Sequence, residues 1–396
     1  MSNTLFGLPE DVRWCVRCVV SNQRPNSCNE FEHTADSKKA TIAFDDQGVC
    51  DACRVAELKE SIDWAERERE LIDLLAQHRS KDGSPDIVVP GSGGKDSVFA
   101  AHVLKHKYGM HPLLVTWAPS LFTDWGWRNL VRWQRLGYHQ LHTPSSAVNR
   151  LLVRLSIDNL FHPFACFTYG QKALAPKVAA LHGIRLVMFG EAESEYGNSK
   201  AEFDDPRRDA RYFTSGDIHL AGISVRDLMA DYRLTAADLD PYMPADPEAM
   251  EAAGVDVRYL GFYLKWKPQS SYYYAVEHLD FECSPERTPG TWSKYSGIDD
   301  KLDDFHFWTT YVKFGIGRAT YDAAQEIRSG DIDRDEGVAL VQRFDGEFPA
   351  RFEQELYDYL SVPGMPPASQ EWLLSLSDAF RSPHLWDGRT LRHRVK

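Results

Sequence analysis

The chain has 396 residues, enough for two or three domains and a large buried core. With 58 acidic against 45 basic side chains its formal charge is −13, which excludes a protein that clings non-specifically to nucleic acid or anionic membrane. No apolar run reaches membrane-spanning length, and Met1 to Glu10 lacks the basic start and apolar centre of a leader, so a cytoplasmic chain is expected.

The first element is a pair of pairs. Cys15-Val16-Arg17-Cys18 and Cys50-Asp51-Ala52-Cys53 are two Cys-x-x-Cys motifs, while Cys28, Cys166 and Cys283 stand alone. Four thiolates in matched pairs suit tetrahedral zinc. The segment between them, 19–49, is longer than the usual ribbon spacing, which predicts a polar loop bulging out over Asn22 to Lys39. Cys28 and His33 lie in that loop as plain loop residues or spare ligands. Gly48 ahead of the second pair suits a tight knuckle turn. Redox or disulfide pairs are the competing reading; a cytoplasmic setting and two matched pairs weigh against them. Zinc here would be a closed-shell folding clamp, so residues 1–57 are read as a zinc module. Residues 58–84 are read as a linking helix, built on the amphipathic stretch Ile62 to His78 with Trp64, Leu71, Leu74 and Leu75 on one side.

From residue 85 the pattern alternates. Ile87–Val89 reads as a strand, Ser97–Lys107 as a helix, Leu113–Thr116 as a strand and Trp125–Leu136 as a helix. A short strand His139–His142, helices Ala147–Asn159 and Gln171–His182, and a strand Leu186–Phe189 follow. Strand–helix alternation at this spacing predicts an α/β fold with a doubly wound parallel sheet. Ligands of such sheets bind beyond the C-terminal ends of the strands, which places Gly91–Ser97, Thr116-Trp117 and Gly190-Glu191 on one rim. The domain is drawn over 85–285, with a helical, acidic insertion over 224–254 and a returning strand in Val257–Leu264. Residues 286–396 are read as a mostly helical C-terminal region, with Gly315 and Gly317 interrupting a helical pattern, an amphipathic helix over Phe344 to Leu360, and a peripheral tail after Pro363.

The segment Pro90-Gly91-Ser92-Gly93-Gly94-Lys95-Asp96-Ser97 carries the chemistry. A strand, a glycine turn and a helix N-terminus make an anion cradle, with hydroxyls from Ser92 and Ser97 and a charge from Lys95. It is neither the common P-loop, because Asp96 follows Gly94-Lys95, nor a dinucleotide fingerprint, because Asp96 stands where a third glycine belongs. Ser92-Gly93-Gly94-Lys95-Asp96-Ser97 instead resembles the PP-loop of the ATP pyrophosphatases.

The wider set of segments resembles the N-acetyl sugar amidotransferases of surface-polysaccharide, lipopolysaccharide and flagellin-glycan pathways. It is most similar to the branch acting on pseudaminic or legionaminic acid. The resemblance is carried by the cysteine pairs with Ser21-Asn22-Gln23-Arg24-Pro25-Asn26, the PP-loop, His162-Pro163-Phe164 and Gly170-Gln171-Lys172. Gly190-Glu191 with Glu195-Tyr196-Gly197-Asn198, Tyr259-Leu260-Gly261, Ser293-Lys294-Tyr295-Ser296 and the run from Gly315 to Thr320 complete it. It implies conversion of an N-acetyl group on a nine-carbon sugar acid into an acetamidino group. ATP adenylates the amide oxygen and ammonia displaces AMP. It further implies that Gly91, Ser92, Gly93, Gly94, Ser97, Thr116 and Gly190 hold ATP, that Lys95 offsets phosphate charge, and that Asp96 and Glu191 hold magnesium. Asp96 as the cap of its helix is the alternative. Lys172, Lys294 and Arg318 would face an anionic sugar acid or sugar nucleotide, and Glu195, Tyr196 and Asn198 its hydroxyls.

No cysteine has the setting of a glutaminase nucleophile: position 2 is serine, and neither Cys166 nor Cys283 is flanked by the glycines of an elbow. A separate glutaminase subunit supplying ammonia is therefore the expected partner. The competing readings are a sulfur-inserting PP-loop enzyme using Cys166, disfavoured by the acidic balance if its substrate is RNA, and a non-catalytic nucleotide or zinc scaffold.

Overall fold

The protein is described by a computed structural model, in which residues 4–135, 139–143 and 146–396 are placed. Two antiparallel knuckles, bridged at Trp14–Ser21 and Phe44–Cys50, hold the cysteine pairs and lead into α1 (Asp51–Ser61) and α2 (Trp64–His78). α2 is the helix expected over Ile62 to His78, and Asp63 starts it: its carboxylate accepts the Ala65 and Glu66 N–H groups. Next come β1 (Ile87–Pro90), α3 (Lys95–His106), β2 (Pro112–Trp117), α4 (Asp124–Arg135) and β3 (His139–Thr143). After these follow α5 (Ala147–Leu160), α6 (Ala165–His182) and β4 (Leu186–Phe189). A small hairpin, β5 (His219–Leu220) and β6 (Ile223–Ser224), precedes three short helices, α7 (Val225–Tyr232), α8 (Ala236–Leu239) and α9 (Pro247–Ala253), which fill the expected insertion. The chain returns through β7 (Asp256–Tyr259) and α10 (Pro268–Leu279).

The strands form one parallel sheet in the order β3-β2-β1-β4-β7. Alternate side chains of each strand serve different cores. Val88, Val115, Val187 and Val257 pack with α5 and α6, whereas Ile87, Val89, Leu114, Leu186 and Met188 pack with α2, α3 and α10. Helices on both faces make the sheet doubly wound, as the alternation predicts. Strand order reverses between β1 and β4, so the loops leaving them diverge and open a crevice at that point.

The C-terminal region is α11 (Leu302–Phe314), α12 (Arg318–Ser329), α13 (Arg334–Phe344), α14 (Glu353–Leu360) and α15 (Gln370–Ala379). Gly315 and Gly317 end α11 and start α12. The helix expected over Phe344–Leu360 is broken: α13 stops at Phe344, and a turn containing Gly346 and Pro349 precedes α14. The tail is not peripheral. Its terminal hairpin, β8 (Trp386–Asp387) and β9 (Thr390–Leu391), buries Trp386 and Leu391 against Leu8, Phe314 and Ile316, and Val395 joins the apolar cluster around the cysteines. Among the described residues no helix is long and apolar enough to cross a membrane.

Candidate active site and metal centre

Cys15, Cys18, Cys50 and Cys53 are all buried, with their sulfurs within 4.8 Å of one another. Cys15 to Cys53 is 3.8 Å and Cys18 to Cys50 is 3.7 Å. A tetrahedron with zinc–sulfur bonds of about 2.3 Å has edges of about 3.8 Å, so the four sulfurs fit that ion. The knuckle backbone turns its N–H groups to the sulfur: those of Arg17, Cys18 and Cys50 point to Cys15 Sγ at 3.4–3.5 Å. Cys50 also stands at the N-terminus of α1, where the helix dipole favours thiolate charge. Cys28 and His33 lie outside this set; they face Lys39 Nζ at 3.4 and 3.3 Å.

The glycine loop lies at the crevice between β1 and β4. Gly93 has φ +87°, and a Cβ there would come within 2.9 Å of the Leu130 backbone nitrogen on α4, so only glycine lets the turn close. Gly94 occupies the cap position of α3, whose first-turn N–H groups have no intrahelical acceptor. Asp96 therefore sits inside the helix rather than capping it. Its carboxylate accepts the Trp266 indole N–H at 2.9 Å and the Lys95 ammonium at 2.5 Å. Ser97 Oγ donates to the Gly94 carbonyl at 2.9 Å, and Ser92 Oγ donates to the half-buried Asp299 carboxylate. Both hydroxyls are held within the protein and must turn to meet a phosphate.

Two lobes open on this loop, of about 230 and 350 Å³, and a third of about 420 Å³ adjoins them at Glu191 and Tyr196. The first is lined by Gly91, Val115, Trp117, Phe189 and Gly190, and carries two aromatic rings. Gly170 of α6 lies directly under Trp117, and a Cβ there would overlap the indole at 1.8 Å. The second lobe is lined by Lys95, Tyr295, Ser296, Asp299 and Arg318. The third, the largest, reaches from β4 into the N-terminal module. Asp96 borders the first and second lobes, Glu191 the first and third, and Tyr196 the second and third. Those three side chains mark the junction, where the Tyr196 hydroxyl donates to Glu191 at 2.8 Å. Burial, and then the neighbouring Asp96 carboxylate, push Glu191 up to about 7, against the opposing pull of Lys95 and Tyr196.

The expected rim assembles in part. Gly91 to Ser97, Gly190, Glu191, Tyr196 and Arg318 converge; Arg318 pairs with Asp322 at 3.2 Å and lies over the Phe307 ring. Thr116 does not join them. Strand alternation turns it inward, where it accepts the Gln140 amide at 2.9 Å, and its neighbours Val115 and Trp117 face the lobe instead. Glu195 is buried in an ion pair with Lys59 of α1 at 2.7 Å. Asn198 accepts the Ser27 N–H at 2.9 Å and donates to the Tyr212 hydroxyl at 2.7 Å, so it fastens its loop to the N-terminal module. Lys294 is exposed and bonds the Pro285 carbonyl at 2.9 Å, while the adjacent Tyr295 and Ser296 face the second lobe. Lys172 lines the third lobe and donates to the Cys28 carbonyl at 3.0 Å. Trp266 and Asp299, which hold Asp96 and Ser92, carried no sequence signal. Cys166 is in the core, where burial pushes its thiol up to about 12, so it is not a ready nucleophile.

Residues 289–395 match the profile of the family described as "LPS biosynthesis protein WbpG-like, C-terminal domain". That stretch contains α11 to α15 and supplies Tyr295, Asp299 and Arg318 to the second lobe. An uncharacterized protein of Methanocaldococcus jannaschii is 31% identical over 88 residues, 22% of this chain and 31% of that protein. The match therefore spans under a third of that relative's length. The structure of NMN synthetase from Francisella tularensis aligns at 12% identity and a TM-score of 0.33, covering 77% of this chain and 99% of that one. The fold class rests on the sheet order and its two helical layers.

Proposed function

We propose that this protein is an ATP-dependent amidotransferase. It would convert the N-acetyl group of a nonulosonic acid, pseudaminic or legionaminic acid in CMP-linked form, into an acetamidino group. The observation that carries this reading is the glycine loop at the sheet's switch point, with Lys95 beside Asp96 and with Asp96 and Glu191 where the three lobes adjoin. The likeness of residues 289–395 to a lipopolysaccharide-biosynthesis family supports a saccharide acceptor.

Adenosine would lie against Trp117 and Phe189, and the phosphates over the N-terminus of α3. There the Gly93 and Gly94 backbone, Ser92, Ser97 and Lys95 offset their charge. Asp96 and Glu191 would hold a magnesium ion, which would relieve their mutual repulsion and neutralise phosphate charge. An amide is a poor electrophile with a poor leaving group. Attack of its oxygen on the α-phosphorus breaks the bond to pyrophosphate and turns that oxygen into part of a good leaving group. Ammonia then adds to the amide carbon, the carbon–oxygen bond breaks, and AMP departs, leaving an amidine that retains a proton. The protein's contribution is alignment and fixed charge at the junction. Ammonia would come from a separate glutaminase subunit. Four closed cysteine ligands leave no open position, so the zinc would be structural.

Mass spectrometry of CMP-sugars incubated with ATP, magnesium and ammonium tests the reading. Acetamido to acetamidino replaces O by NH, a loss of about one mass unit, with AMP and pyrophosphate formed in step. ATP binding without pyrophosphate release across the candidate sugars would leave a nucleotide-binding scaffold instead.

A further inference from the structure

The third lobe is lined by cationic side chains that form no short ion pair within the protein. Lys39 from the N-terminal module and Lys313 from α11 both line it. Among the described residues neither ammonium has a carboxylate within ion-pair distance: Lys39 Nζ meets His33 Nδ1 and Cys28 Sγ, and Lys313 Nζ meets the Leu160 carbonyl at 3.1 Å. Lys313 is buried, and burial together with the Lys39 charge drives its ammonium down to about 7, as expected of two cations sharing one wall. The acids of the lobe bond other groups at short range, and only Glu30 acts on Lys39 and Lys313, through space. Glu193 pairs with Arg208, and Glu30 sits 3.4 Å from His33 and 3.9 Å from Lys172.

A second, independent feature lies beside them. His162 and His306 stack with ring centroids 5.1 Å apart, and the Nδ1 atom of each is buried with no hydrogen-bond partner. Arg208, itself buried, likewise has Nε and one terminal nitrogen unpartnered. Buried polar atoms are nearly always satisfied, so a cluster of them lining one cavity points to a polar occupant. In a chain of net charge −13, a cavity walled by two lysines without short ion pairs and by unpartnered Arg208 donors favours an anion.

We infer that this lobe is the acceptor site, and that Lys39 and Lys313 hold the anionic group of the acceptor while Glu191 and Tyr196 face its reacting end. The N-terminal cysteine module is then part of substrate recognition and not only a folding clamp, since it brings Lys39 to the lobe. The assignment rests on the amidotransferase reading above for the word acceptor; the anion site itself does not.

The anion can be a carboxylate or a phosphate, and two probes separate them: N-acetylneuraminic acid carries only the first, and CMP only the second. Calorimetric titration of each into wild type, Lys39→Met, Lys39→Arg and Lys313→Met, with a non-hydrolysable ATP analogue titrated in parallel, tests the site. Loss of one charge-assisted contact should weaken the recognised probe by about tenfold or more in both Met variants. Lys39→Arg should largely restore it, and affinity for the ATP analogue should stay within about twofold. Lys39 is only partly buried, so Lys39→Met keeps the test open should Lys313→Met fold poorly. Weakening of the sugar acid identifies the carboxylate, and weakening of CMP the phosphate. No binding of either probe to the wild type, or binding indifferent to both Met substitutions, overturns the assignment. The titration needs no turnover, so it decides the lobe even where no amidine forms.

Discussion

Four cysteines from two knuckles close on one another, every one of them buried. The junction of Asp96, Glu191 and Tyr196 is the opposite arrangement, bordered by three cavities. Its carboxylates repel, one of them pushed up to about 7 by burial and by the other. A saturated, closed set has no position for a substrate, and its binding energy goes into folding. An open set whose carboxylates repel costs stability until something arrives, and that is where chemistry is placed.

The largest effect that could break this contrast concerns the closed set. Apparent zinc-binding energies of structural sites are about 10–16 kcal/mol, so Cys50→Ser should lose the metal and melt far below wild type. Whatever folded fraction survives should keep its pyrophosphate-releasing rate. Metal analysis of freshly purified, reduced wild type should give one zinc per chain; finding none sinks the closed-set reading.

At the open set the effects reverse. Lys95→Ala and Asp96→Ala should each lower pyrophosphate release by about a hundredfold or more, the worth of a charge placed for a transition state. Their thermal melts should stay close to wild type. Near-normal turnover in both variants removes the glycine loop from the mechanism.

A smaller effect sharpens the geometry of the first lobe. Gly170→Ala puts a methyl into the Trp117 indole, and overpacking of this kind costs about 1–3 kcal/mol. Displacement of Trp117 should raise the KM for ATP by about tenfold and leave the acceptor KM nearly unchanged. An unchanged KM for ATP would mean that adenosine does not lie on Trp117.

The smallest effect is a pH slope near the second lobe. Asp300 accepts the N–H groups of Ser120, Leu121 and Leu302, yet burial pushes its carboxyl up to about 7. An unfolded aspartate titrates near 3.9, so between these values the folded state holds the proton that the unfolded state has released. This contribution to stability is complete below about pH 4 and is lost as pH rises through about 7. Asp300→Asn cannot titrate. Denaturant melts of both proteins at pH 5 and pH 8 should therefore show wild type losing ground to the variant as pH rises. A gain of wild type over the variant would reverse the sign and refute the buried-acid account.

Sequence alone determined whatever short-range pattern encodes. Paired cysteines at fixed spacing announced a four-ligand cluster, because a knuckle needs only a few residues to aim two thiolates. Strand–helix alternation announced the doubly wound sheet, because strands buried on both faces read as short continuous apolar runs. Contiguous glycines with Lys95, Asp96 and Ser97 announced the cradle, because strand, turn and helix N-terminus follow one another along the chain. Tertiary structure alone decided what faces what. Trp266 holds Asp96 from 170 positions away, and Asp299 holds Ser92 from 207. Lys39 and Lys313 meet across one lobe, while Glu195 and Lys294, equally polar in the sequence, are drawn off to Lys59 and to the surface. The physical reason is that a charged side chain carries no signal of its direction. That direction is fixed by which partner satisfies it when distant elements pack, and only the folded chain brings the partner there.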